Sequence, residues 1–385
     1  MRRVGVVTVG RSDFGIYRPV LRQILAHTDL ELVLLVSGMH LSPEFGRTID
    51  EIESEGFEVA HQVEMLVSSD TPEAIAKSIG LGVIGFSQVY AGADLDLLVV
   101  LGDRFEMLAA AIASVPFALP MAHVHGGEST EGLIDEPIRH SLTKMSHLHF
   151  VSTTDYSRRV VQMGEEPWRV SVSGAPSLDN LAELELMSRE ELEQDLGVDL
   201  SGSTALLTYH PVTLELSQTA ERCRRFLDGV ERSGVDAIFT CPNADTTGRV
   251  VIDLIEAFVA RNERHHLIAN LGTHRYFSLM NHVALMVGNS SSGIIEAASF
   301  GLPVVNVGIR QQGRVRGPNV IDVEEDEVQV ARGITAALQP SFREGVKGLP
   351  NPYGNGTASQ DIVERLATVE LGSQLLIKKF RDQST

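Results

Sequence analysis

The chain of 385 residues carries 51 acidic against 32 basic side chains, a net charge of −19, with 43 % hydrophobic and 22 % charged residues. That composition belongs to a globular chain long enough for two separate cores, and the acidic excess argues against a nucleic-acid or anionic-membrane surface, because phosphate binding needs a basic field. The two cysteines, Cys223 and Cys241, are too few and wrongly spaced for a zinc cluster or a disulfide framework and fit a reducing cytosol. The N-terminus, MRRVGVVTVG, has the charge but not the apolar length of a signal peptide, and no run reaches the roughly eighteen apolar residues that span a bilayer. A cytoplasmic location is expected.

In chain order, Val4–Val9 is a short β-branched run that ends in Gly10, Arg11, Ser12, Asp13, Phe14 and Gly15. A helical pattern follows, with Val20, Leu21, Ile24 and Leu25 on one face. Leu30–Val36 reads as the next strand, Pro72–Gly92 as a long helix, and Leu97–Leu101 as a fully buried strand that delivers Gly102, Asp103 and Arg104 at its C-terminal end. Met121–Val124 and Leu148–Val151 read as further strands with a helix, Glu136–His147, between them, and Val170–Ser173 closes the first unit. Strands alternating with helices mean a parallel, doubly wound sheet.

After Gly174, Ala175 and Pro176, a charged helical segment, Ser188–Leu196, reads as the connection between domains, and the pattern then restarts. Ala205–Thr208, Ala237–Thr240, Leu267–Ala269, Val283–Val287 and Val304–Val307 are short apolar runs separated by helical stretches such as Val250–Ala260. A break at Asn351–Gly356 precedes a helical pattern from Ala358 to Phe380, with Ile362, Val363, Leu366 and Val369 on one face. The expected organisation is α/β: a Rossmann-like domain over 1–178, a second over 179–357 facing it across a cleft, and a last helix, 358–385, packing back on the first.

The stretch His123–His140, HVHGGESTEGLIDEPIRH, packs His123, His125, Glu128, Glu131, Asp135, Glu136, Arg139 and His140 together. Ligands of open α/β sheets bind just outside strand ends at the topological switch point, so this stretch and Asp103 are candidates for a site. Asp103, Glu128, Glu131 and Asp135 supply carboxylates for proton transfer at carbon, which needs acids held in different protonation states. Gly126 and Gly127 are expected to give backbone room for a sugar, and without a DxD motif no metal is expected. In the second half, Gly288, Asn289, Ser290, Ser291, Ser292 and Gly293 follow a strand and open a helix, offering N–H groups and hydroxyls to a phosphate. Glu296, one turn further on, suits a ribose diol. His210, at the end of a strand in YHPVT, is placed to donate to phosphate oxygens, and Arg310 and Arg314, with Arg11 from the first half, supply local positive charge.

Together these motifs resemble the UDP-N-acetylglucosamine 2-epimerase family, in its hydrolysing branch, which serves sialic and legionaminic acid synthesis. The resemblance runs from Gly10 to about Ser359, through GRSDFG, LGDRFE, HVHGGESTEGLIDEPIRHSLTKMSHLHF, GAPSLDNL, YHPVT, GNSSSGIIEAASFGLPVVNVGIRQQGR and YGNGTAS. It implies the glycosyltransferase-B arrangement of two Rossmann-like domains, elimination of UDP across C1 and C2 of a 2-acetamido sugar, and hydration of the resulting glycal to the free 2-epimer. By resemblance Asp103 and Asp135 match acidic positions of that chemistry and His210 the histidine near the departing phosphate. Arg11, Arg104, Asn243, Ser290, Ser291, Glu296 and Arg310 match nucleotide-contacting positions. Where other branches carry a catalytic glutamate before the paired glycines, this chain carries His125, so the acid–base partner is His125, Glu128 or Glu131. A histidine titrating near neutral pH is competent as either acid or base. The resemblance implies a UDP-sugar as the small-molecule partner and a homodimer or pair of dimers. No cofactor is expected, since elimination and hydration need no hydride carrier and the Gly10 loop lacks GxGxxG. A non-hydrolysing epimerase, a glycosyltransferase of the same fold and a non-catalytic nucleotide-sugar sensor remain as alternatives.

Overall fold

The computed structural model of the chain describes residues 1–69, 71–130, 134–211, 216–241, 248–269 and 271–382. It divides into two compact units, one of Met1–Glu128, Asp135–Ala182 and Gly356–Thr385, the other of Ser129–Ile134 and Glu183–Asn355.

The first unit holds β1 (Arg2–Thr8), α1 (Arg11–Ala26), β2 (Leu30–Ser37), α2 (Ile49–Ser54), β3 (Val59–Val63), α3 (Pro72–Tyr90) and β4 (Leu97–Leu101). It continues with α4 (Phe105–Ser114), β5 (Met121–Val124), α5 (Asp135–Met145), β6 (Leu148–Val151), α6 (Thr154–Gln162), β7 (Val170–Val172) and α7 (Asp179–Glu183). Its seven strands run β3-β2-β1-β4-β5-β6-β7, every pairing parallel. A central parallel strand has helices on both faces and must be apolar at every position, and Leu97–Leu101 is buried throughout. The chain order reverses where β1 lies beside β4, with Val4 opposite Leu97 and Val6 opposite Val99. That reversal leaves an opening beyond the C-terminal strand ends.

The second unit repeats the plan with α8 (Arg189–Leu196), β8 (Thr204–Thr208), α9 (Thr219–Ser233), β9 (Asp236–Thr240), α10 (Gly248–Val259), β10 (His265–Ile268) and α11 (Gly272–His282). There follow β11 (Leu285–Gly288), α12 (Ser291–Ile295), β12 (Val304–Val307), β13 (Val320–Val323), α13 (Glu327–Ala337) and α14 (Pro340–Gly345). Its six strands run β10-β9-β8-β11-β12-β13, all parallel, and the order reverses where β8 lies beside β11. Both units are therefore doubly wound, Rossmann-like sheets. No helix among the described residues is long and apolar enough to cross a membrane.

The C-terminal segment differs from the single helix that its periodicity suggests. It forms α15 (Ala358–Thr368) and, after a break, α16 (Ser373–Leu376), with Ile362, Val363, Leu366, Val369 and Leu375 in the first unit's core. The break falls at 369–372, where half-buried Arg2 reaches in, and buried Arg169 holds the segment that follows it. Arg169, 1 % exposed, donates to the carbonyls of Leu375 at 2.7 Å, Gln374 at 3.0 Å and Ile377 at 3.1 Å, and Arg2 to that of Val369 at 2.8 Å. Those carbonyls would be acceptors within a continuing helix, but a buried cation without partners costs more than one lost turn.

Two glycines separate a steric need from a conformational cost. At Gly288, φ is +133° and an added Cβ would lie 2.0 Å from the Thr208 carbonyl oxygen, whereas a Cβ at Gly80, inside α3, meets nothing within 4 Å. Gly288→Ala is expected to lower unfolding stability by about 3 kcal/mol or more through overpacking and strain. Gly80→Ala is expected to raise it by about 0.5–1 kcal/mol through helix propensity. Urea unfolding followed by circular dichroism measures both.

Candidate functional site

In the first unit the site begins at the ends of β4 and β5. Gly102 and Asp103 leave β4; His123 is on β5, and His125 stands just past it. His123 is wholly buried and bonds the Gly102 carbonyl through Nε2 at 2.7 Å and Thr143 through Nδ1 at 3.1 Å. Burial pushes its imidazole down to about 3, so it is a neutral structural tie between the two strand ends. From α5, fully buried Arg139 reaches back to both: it pairs with Asp103 and donates to the Glu128 carbonyl at 3.2 Å and to Glu136 at 2.6 Å. Asp135 opens α5, one turn before Arg139, and is half-buried.

The paired glycines have a different reason from the expected room for a sugar. A Cβ at Gly127, where φ is +76°, would sit 2.6 Å from the Tyr156 carbonyl oxygen, and one at Gly126 would sit 3.0 Å from His123 Nδ1. Both positions are closed by protein. They let the loop fold so that His125 Nδ1 lies 2.6 Å from Glu128 Oε1, with Ser152, the residue after β6, against both.

A second cluster stands at the ends of β1 and β2. Asp13, in the first turn of α1, is buried, and its Oδ2 accepts from the Val9 N–H at 2.7 Å and the Thr8 hydroxyl at 2.8 Å. Thr8 also touches His40 Nε2 at 3.0 Å, and His40 Nδ1 touches Thr48 at 2.6 Å. Burial raises the Asp13 carboxyl to about 6 against these hydrogen bonds and the nearby Arg104. Burial, with Arg11 and Arg104, lowers His40 to about 4. Arg11 is exposed, 3.9 Å from Glu51; Arg104 stands at the N-cap position of α4, and its side chain reaches Glu106 at 3.3 Å.

In the second unit a side chain joins the ends of β8 and β11. Asn289 accepts from the His210 N–H at 2.7 Å and donates to the His210 carbonyl at 2.9 Å. Its own carbonyl takes Arg310 at 3.1 Å and Gln311 at 2.9 Å. Burial, then the Arg310 charge, holds His210 well below the ordinary imidazole range, so it meets a ligand as a neutral ring. Ser290 caps α12, accepting from the Ser292 N–H, and Ser291 is its first residue. That helix has only five residues, so its dipole is small, and anion attraction rests on hydroxyls, N–H groups and the nearby arginines. Glu296 follows α12 directly and is buried. Tyr276, from α11, places its hydroxyl against the Ser292, Ser290 and Thr208 side chains, and burial pushes it up to about 12.

The structure thus brings Asp103, His125 and Glu128 together in the first unit, with Arg11 and Arg104 at neighbouring strand ends. In the second it brings His210 to Arg310, and Ser290 to Glu296 through Tyr276. Arg314 is half-buried four residues beyond Arg310. Glu131 and Asn243 lie outside the described residues. Among those described, no group of three His, Cys, Asp or Glu side chains has the geometry to hold a metal. The sequence motifs leave out Ser152 and Tyr276, include Asn289 only among the residues that open a helix toward a phosphate, and give Arg139 no role. Only Asn289 carried a local signal, a polar side chain directly after a strand-end glycine.

A family model described as UDP-N-acetylglucosamine 2-epimerase matches residues 22–367. The chain belongs to that family. Among curated relatives it is 35 % identical over 379 residues, 98 % of this chain and 99 % of the other, to the Legionella pneumophila protein named UDP-N,N'-diacetylbacillosamine 2-epimerase (hydrolyzing). It is 37 % identical over 332 residues, 86 % of each chain, to the Campylobacter jejuni protein named GDP/UDP-N,N'-diacetylbacillosamine 2-epimerase (hydrolyzing). Among solved structures, the UDP-GlcNAc 2-epimerase of Neisseria meningitidis bound to UDP-GlcNAc superposes with a TM-score of 0.82 at 18 % identity, covering 95 % of this chain and 99 % of that one. That structural match shows that the epimerase family shares this fold.

The raised Asp13 carboxyl makes stability pH-dependent with a defined sign. Its native value, about 6 against 3.8, means that the folded chain holds a proton the unfolded chain releases, so stability falls as pH rises from about 4 to 6. Both protein donors fall on Oδ2, and an amide oxygen can receive them. Asp13→Asn is expected to remove that decline, matching the parent near pH 4 and exceeding it above pH 6 by on the order of 2–3 kcal/mol. Urea unfolding across the pH range measures it; an unchanged slope would contradict the assignment.

Proposed function

We propose that this member of the epimerase family is a hydrolysing 2-epimerase, acting as a homodimer or pair of dimers in the cytoplasm. It converts a UDP-2-acetamido sugar and water to UDP and the free 2-epimeric sugar, of the kind used in sialic- or legionaminic-type acid synthesis. The observation that carries this reading is the near end-to-end match to a relative whose name specifies hydrolysis. Because that relative and the Campylobacter protein are named for a diacetylbacillosamine nucleotide, UDP-N,N'-diacetylbacillosamine ranks ahead of UDP-N-acetylglucosamine as substrate.

Physically, the chemistry divides into holding a diphosphate and moving protons at C2. The second unit's Arg310, Ser290, Ser291 and neutral His210 supply the charge and hydrogen-bond donors a UDP diphosphate needs, with Glu296 for the ribose diol. The first unit's Asp103 and His125 supply groups to take a proton from C2 and return one to its opposite face. As the C2 proton leaves, its bonding pair forms the C1–C2 double bond and the C1–O pair departs with UDP. Water then adds at C1, and a proton adds at C2 with inversion.

Proton NMR of the purified protein with each UDP-sugar in deuterated water tests this. Free UDP together with a free, C2-deuterated 2-epimeric sugar is the expected result. Accumulation of a UDP-linked epimer without free UDP would contradict hydrolysis, and release of UDP with the C2 proton retained would contradict the elimination.

A further inference from the structure

Three side chains meet in the first unit within hydrogen-bond distance of one another. Glu128 Oε1 is 2.6 Å from His125 Nδ1 and 3.1 Å from Ser152 Oγ, and Ser152 Oγ is 3.0 Å from His125 Nδ1. All three residues are buried. An ionised carboxylate has no proton to give, the serine has one, and the imidazole has one on a single nitrogen when neutral. Both edges that end on Glu128 are hydrogen bonds when the hydroxyl and Nδ1–H point at its Oε1, and the Ser152–His125 edge is then a close contact. That leaves the lone pair on His125 Nε2. Nε2 is itself buried and has no hydrogen-bond partner among the described residues, on a side chain only 9 % exposed.

His125 also holds a φ of +65°, a region that a residue with a Cβ adopts at a cost of about 1–3 kcal/mol. An unmet buried nitrogen costs about as much again. The surroundings enforce both. The His125 N–H donates to the Phe150 carbonyl at 3.0 Å, Arg159 holds the Gly127 carbonyl at 2.6 Å, and Arg139 holds that of Glu128. Two costs carried by one residue, in a loop pinned on three sides, mark a side chain kept in place for something that is not protein.

We propose that His125 Nε2 is the atom that exchanges a proton with the substrate, and that Glu128 and Ser152 are positioning residues that fix the imidazole's tautomer and aim. The identity of the substrate rests on the epimerase reading above; the tautomer does not. Nε2 accepts one proton as the C–H pair becomes the glycal double bond and UDP leaves, and the imidazolium so formed keeps its other proton on Nδ1, facing the Glu128 carboxylate. Ser152 donates to the same oxygen and so fixes the Glu128 carboxylate in place against the imidazole. Glu128 Oε1 is committed to these two donors, which sets it apart from the reacting position. Asp103, ion-paired with Arg139, remains for the proton transfer on the opposite face of C2.

The first test needs no substrate. In protein labelled with nitrogen-15 in its histidine rings, the His125 signals, recognised by their loss in His125→Gly, are expected to show a protonated Nδ1 and an unprotonated Nε2 when the ring is neutral; the reverse tautomer overturns the proposal. The second uses turnover. Glycine accepts the +65° backbone without strain, so His125→Gly is expected to fold, to lose about 1,000-fold in kcat, and to regain tenfold or more when imidazole is added. Ser152→Ala is expected to lose about tenfold in kcat, roughly the worth of one hydrogen bond to a charged group, with KM within about twofold, and Ser152→Thr to recover most of that loss. A folded His125→Gly that imidazole does not restore overturns the proposal. A wild-type protein that turns over no UDP-sugar would defeat the epimerase reading while leaving the tautomer result to stand by itself.

Discussion

The first unit's candidate site depends on one buried cation. Arg139 is 1 % exposed and cannot keep a charge there without partners, because an unpaired buried guanidinium costs several kcal/mol. Its partners are Asp103, at the end of β4, the Glu128 carbonyl, beyond β5, and Glu136 on its own helix. Satisfying one side chain therefore fixes the separation of two strand ends and seats α5 against them. The His125 turn sits inside that frame, and the glycines at 126 and 127 are small because Tyr156 and His123 occupy the space a side chain would need.

The second unit solves the same problem with a neutral group. Asn289 pairs with both backbone groups of His210, as a strand neighbour would, and so extends the β8–β11 contact past the point where the ladder ends. Its carbonyl then draws in Arg310 and Gln311. An arginine, a neutral histidine and a serine-capped turn are brought to the end of one sheet without needing a long helix dipole. In the second unit His210 and Ser290 stand beyond β8 and β11, the strands that flank the reversal of strand order; in the first, Asp103 stands beyond β4, which flanks it, and His125 one strand further along, beyond β5.

Much of this fold was legible because a central parallel strand must be apolar on both faces. Leu97–Leu101, Met121–Val124, Leu148–Val151 and Val304–Val307 stand out of the sequence with the bounds they have in the structure. The edge strands β3 and β13 do not, since VAHQV and VIDV are half-exposed and carry polar residues. Periodicity makes the last helix too long because it ignores distant donors: Arg2, near the other end of the chain, takes the Val369 carbonyl at the break, and Arg169 takes those of Gln374, Leu375 and Ile377 beyond it. At the site, ionisable residues grouped in a motif were visible, whereas the groups that orient them were not. Ser152 is a single serine after a strand, and Tyr276 is one aromatic on a helix, and neither has a neighbour in sequence that hints at its partner.

The proposed function assigns nucleotide binding to Arg310, Ser290, Ser291 and His210 and proton transfer to Asp103 and His125. The measurement that tests it most directly is the affinity for UDP of Asp103→Asn, by titration calorimetry beside the parent protein. The amide is isosteric and its oxygen can still accept from Arg139, so UDP affinity within about threefold of the parent is expected, in a variant whose turnover is lost; threefold is well under 1.4 kcal/mol. A fall in UDP affinity that matches the loss of turnover would place Asp103 in nucleotide binding and contradict that assignment.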